Sequence, residues 1–124
     1  MKDFVPYNEA LKLKELGFNE PCIFGYNDYH VLRSKIASSF DGDFVKWNEK
    51  YDRDLKAPLY QQAFRFFREK YRLEGAIYRL NFKWASQVFN IETSTYCFKH
   101  ELFETYEEAE INSLQKMIKM VKNE

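Results

Sequence analysis

Three segments of this chain open alike: Tyr7-Asn8-Glu9-Ala10, Tyr60-Gln61-Gln62-Ala63 and Tyr106-Glu107-Glu108-Ala109. No other feature constrains the fold as much. A Glu or Gln near the third position of a helix can reach back to the unpaired backbone donors of the first turn. Each segment therefore predicts a helix start. The third carries a full capping box, Thr105-x-x-Glu108, and the others follow Pro6 and Pro58, where a missing N–H costs a helix entrance little. The spacings between the three are unequal and their flanks differ, so shared capping chemistry explains them better than a true repeat.

The first helix is expected over 7–16, with Gly17 as its stop and Ala10, Leu13 and Leu16 or Leu11 as its buried stripe. The second spans about 59–72, with Tyr60, Ala63 or Phe64, Phe67 and Tyr71 on one face. The third spans about 106–122 with Ile111, Leu114, Ile118 and Val121 inward. Its glutamates come early and its lysines late, matching the helix dipole.

Strands fill the intervals. Residues 21–26 read as a short strand, Asn27-Asp28 as a turn and residues 29–35 as the hairpin partner. Residues 75–85 alternate, with Ala76, Tyr78, Leu80, Phe82 and Trp84 against Ile77, Arg79, Asn81 and Lys83, which predicts one long strand with a buried and a wet face. Residues 88–92 and 96–102 continue an antiparallel meander. Residues 36–57 follow neither period, yet Phe40, Phe44, Val45, Trp47 and Tyr51 are too apolar for a linker. They predict a long ordered loop docked on the domain or on a partner. The expectation is one α+β domain over 1–124: three helices packed on a small antiparallel sheet.

Composition narrows the functions. Nineteen basic residues balance nineteen acidic ones, so a general nucleic-acid coat is excluded, though a local patch is not. Aromatic residues make up 19%, enough to fill a core and leave rings for a surface that meets a partner. Two cysteines, Cys22 and Cys97, fit a reduced, cytoplasmic chain better than a secreted disulfide scaffold. No apolar run approaches the ~20 residues of a membrane span, and no apolar signal region opens the chain.

Catalytic motifs are missing. His30 and His100 lie far apart, and no CxxC or HExxH spacing exists. Asp41-Gly42-Asp43 begins like a calcium loop, but Asp52 stands where the closing Glu belongs. Cys97 and His100, three apart in an expected strand, would point to opposite faces. Four scattered glycines leave no phosphate-cradling loop. The expectation is a non-enzyme without metal or cofactor; a catalytic set assembled only in space is the reading this leaves open.

Charge patterning is more informative. Arg65, Arg68 and Arg72 share one helical face, and Arg79 and Lys83 share the polar side of the next expected strand. Together with Phe66 they can form a basic patch that grips phosphates or an acidic protein surface; an ordinary solvated helix face is the plainer alternative. Between Glu101 and Glu110 stand five glutamates and no Lys or Arg. Such a block mimics nucleic-acid charge, repels it, or simply serves the start of a helix.

Three blocks carry a resemblance: Tyr7 to Cys22, Ala57-Pro58 leading to residues 62–71, and residues 105–110. Over roughly a third of its length, the chain resembles small proteins of phages and prophages of Bacteroidota. Leu59 departs from them, standing where they often carry a small hydroxyl cap. The resemblance implies a bacterial host cytoplasm and a counter-defence context, with anti-CRISPR inhibitors as the prominent class. It carries over no functional residue. The expected function is a non-enzymatic protein that inhibits or modulates a host protein or ribonucleoprotein, a CRISPR effector with its guide RNA being the named case. Arg65, Arg68, Arg72, Arg79 and Lys83 are the expected contacts, with Trp47 as a possible anchor. The alternative is a small nucleic-acid-binding accessory protein.

Overall fold

The structure, a computed structural model, describes residues 3–34 and 55–123. Trp47 and the other apolar residues of the expected long loop, Phe40, Phe44, Val45 and Tyr51, lie outside the described residues. The elements are α+β, and the chain divides after Leu59 into two compact units.

The first unit holds α1 (Tyr7–Glu15), β1 (Phe24–Tyr26), β2 (Leu32–Ser34) and β3 (Leu55–Ala57). Its sheet runs β2-β1-β3 and is antiparallel throughout. Helix α1 ends as the glycine predicted: Gly17 takes φ 97°, its N–H donates to the Lys14 carbonyl at 3.0 Å and that of Phe18 donates to the Leu13 carbonyl at 3.0 Å. This is the Schellman arrangement, and the apolar pair it brings together, Leu13 and Phe18, is buried. Ala10 is buried with Leu13, while Leu11 is exposed. The β1–β2 turn is organised by Asn27, whose side-chain oxygen accepts from the N–H groups of Tyr29 and Val31. His30 adopts φ 62°, and its ring stacks on Tyr7 at 3.7 Å.

The second unit holds α2 (Tyr60–Lys70), β4 (Leu73–Leu80), β5 (Lys83–Asn90), β6 (Thr95–Tyr96), β7 (Glu101–Phe103) and α3 (Tyr106–Lys122). The single strand expected over 75–85 is instead a hairpin. Strands β4 and β5 pair from Leu73↔Asn90 to Leu80↔Lys83, turning through Asn81 and Phe82 at φ 52° and 65°. Two left-handed residues in a row define the hairpin turn that matches strand twist. Strands β6 and β7 both pair with β5. Between the pairs Phe89↔Tyr96 and Ser86↔Glu101, only Gln87 and Val88 of β5 stand opposite residues 97–100, so the third strand is broken by a wide bulge. Cys97 and His100 sit in that bulge, not in a strand; both are half-buried.

One face of this sheet carries the helices. A side chain on Gly75 would approach Phe64 of α2 to 3.1 Å and Met117 of α3 to 3.2 Å. Ser86 bonds Ser113 of α3 at 2.7 Å and donates to the Asn112 side-chain oxygen at 3.0 Å. Phe67, Leu73, Val88, Leu114, Met117 and Ile118 are all buried. The Ala of every shared helix start is buried too, Ala10, Ala63 and Ala109 alike. On the opposite face, the Tyr78 hydroxyl donates to Gln87 at 2.8 Å.

Candidate functional site

The expected basic residues separate into two groups. Arg65 and Arg68 are exposed on α2, away from buried Ala63 and Phe67. Arg72 leaves their stripe: α2 has ended at Lys70, and Arg72 takes φ 57° while its carbonyl accepts from the Ile91 N–H. Phe66 is not a free ring beside them. It packs edge-on against Phe67 at 5.5 Å and Tyr71 at 5.9 Å, with the Lys70 ammonium 5.4 Å from its centre.

Arg79 and Lys83 do not share a face, contrary to the sequence expectation. Arg79 pairs with Trp84, and Lys83 with Leu80. Side chains alternate along a strand, so the turn between Arg79 and Lys83 puts them on opposite sides of the sheet. Geometry also parts Arg79 from Arg68. Phe64 lies at Gly75, the chain reverses between α2 and β4, and Arg79 lies four residues beyond Gly75, about 13 Å along the strand. Arg68 lies one turn of α2 the other way.

What the structure does assemble is the far end of the β4–β5 hairpin. The Arg79 guanidinium stands 4.9 Å from the centre of the Trp84 ring. Tyr106, first residue of α3, meets Trp84 edge-on at 5.1 Å. The Lys83 ammonium pairs with Glu104 at 3.0 Å, both side chains largely solvated. Burial pushes the Tyr106 phenol above its ordinary value, and the carboxylates of Glu110 and Glu107 push it the same way. The capping box holds this end in place: Thr105 accepts from the Glu108 N–H at 3.2 Å, and Glu108 accepts from the Thr105 N–H at 3.1 Å.

An arginine held over an indole, braced by a tyrosine, is a preformed recognition element. Among the described residues no three His, Cys, Asp or Glu side chains gather as a metal site requires, and no helix is long and apolar enough to cross a membrane. Sequence reasoning singled out Arg79 but missed Trp84, Tyr106 and Glu104. Once the turn is placed at Asn81-Phe82, the pairing of Arg79 with Trp84 follows from register alone. No protein-family model, curated protein or solved structure matches this chain.

Proposed function

We propose that this chain is a non-enzymatic binding protein that docks on a host protein or ribonucleoprotein and inhibits or modulates it. The observation that supports this reading is the Arg79–Trp84–Tyr106 stack. Arg, Trp and Tyr are the residue types that dominate binding energy at protein interfaces. A stack already formed loses little side-chain freedom on docking. The phage resemblance adds a context, counter-defence, and a class of target, a CRISPR effector nuclease with its guide RNA.

The test is direct. Purified chain is titrated into guide-loaded effector nucleases of Bacteroidota hosts, and binding and target cleavage are both read. The expected result is stoichiometric binding with loss of cleavage. Arg79→Glu and the pair Arg65→Glu/Arg68→Glu are compared in the same assay. A loss confined to Arg79→Glu assigns the hairpin end; a loss confined to the pair assigns the α2 face. Binding to none of the effectors would end the CRISPR reading. The second reading, a nucleic-acid accessory protein, draws on the exposed Arg65 and Arg68. It requires affinity for RNA or DNA that falls steeply with salt.

A further inference from the structure

Resting on the reading of a binding protein, we propose that Phe82 anchors its interface. The phenyl ring enters an apolar pocket of a folded protein partner, and Arg79 receives a carboxylate on that pocket's rim.

Two independent features single out Phe82. The residue is 94% exposed at the tip of the β4–β5 hairpin, where its ring gains no core packing. Its backbone lies at φ 65°, a region that bulky side chains rarely adopt. A turn with two left-handed residues favours Asn then Gly. Asn81 obeys that rule and Phe82 breaks it. Neither burial nor local preference accounts for a phenyl group here, and strain of this sort concentrates at functional sites.

Arg79 supplies the second contact. It lies one residue pair behind the turn, exposed, with its guanidinium fixed over Trp84. It makes no ion pair among the described residues, so its planar fork of donors is open to a carboxylate. Lys83 is different, being already matched by Glu104. The surroundings favour a protein over a nucleic acid. Glu104 stands at the hairpin, and Glu107 and Glu110 act on Tyr106 beside it. Glu104 is matched by Lys83, but the carboxylates of Glu107 and Glu110 at Tyr106 disfavour a phosphate backbone.

The experiment uses the whole chain, as wild type, Phe82→Gly, Phe82→Leu and Arg79→Glu. Each is first melted. Phe82→Gly should melt higher than wild type, because glycine suits the turn; a lower melting temperature would overturn the strain argument. Wild type is then immobilised and exposed to nuclease-treated lysate of a Bacteroidota host. The protein it retains is identified, purified and titrated against all four variants. We expect Phe82→Gly and Arg79→Glu each to bind at least ~10-fold more weakly, and Phe82→Leu to keep most of the affinity. Equal affinity for wild type and Phe82→Gly overturns the anchor and leaves the binding-protein reading standing. Retention of no protein overturns both. A fluorescent oligouridine bound by wild type but not by Phe82→Gly overturns the choice of a protein partner.

Discussion

Ser86 and Ser113 are both fully buried, and they satisfy each other across β5 and α3 at 2.7 Å. Ser86 also reaches Asn112, and Ser113 reaches the Gln87 carbonyl at 3.4 Å. Each serine keeps that second partner when the other is removed, so deleting one hydroxyl loses the shared bond, worth about 1 kcal/mol. Ser86→Ala and Ser113→Ala should each lower stability by that order, and the double variant by less than the sum, because the shared bond is lost only once. Denaturant midpoints of the four proteins check this. Strict additivity would show that the pair is not coupled. Gly75 makes a different demand. Its missing side chain leaves room for Phe64 and Met117. Gly75→Val should overpack that site and cost about 1–3 kcal/mol, with part recovered by Phe64→Leu. A valine as stable as glycine would mean that α2 stands off from the sheet.

At the level of elements, what sequence revealed was what is local. The start of α3 was legible because a capping box needs only Thr105 and Glu108 three residues apart. The stop of α1 was legible because Gly17 can adopt a conformation that others avoid. Thr105→Ala should therefore cost about 1 kcal/mol of stability, seen as a lowered urea midpoint. An unchanged midpoint would mean that Glu108 alone holds the end. The hairpin was hidden because alternation continues through it: Leu80, Phe82 and Trp84 keep a period of two while the chain reverses. Asn81 was the available turn signal, but Phe82 stands where glycine usually confirms it. That one misplacement carried into the site, assigning Arg79 and Lys83 to a common face. Strand β3 escaped for another reason. It pairs with β1 across about thirty residues of chain, and nothing in Leu55-Lys56-Ala57 announces so distant a partner. The bulge at residues 97–100 likewise depends on what stands opposite.

At the scale of the molecule, the ionisable groups that folding most clearly perturbs among the described residues all shift in one direction. Burial raises the Cys97 thiol above 9.0. Burial raises the Tyr26 phenol above 10.0, with Glu9 adding to it. Burial, Glu110 and Glu107 raise Tyr106 above 10.0. For each group the folded chain holds its proton to a higher pH than the unfolded chain does. Their contribution is therefore fully present below the unfolded values and is lost as pH rises through the folded ones. Stability should stay level with respect to these three groups up to about pH 8, then fall as pH rises past about 9. Urea unfolding at a series of pH values tests this, with far-UV circular dichroism as the readout. Tyr106→Phe provides the control. It keeps the ring against Trp84 but cannot ionise, so its alkaline slope should be shallower than that of wild type. A wild-type slope in Tyr106→Phe would place the alkaline loss in Tyr26 and Cys97.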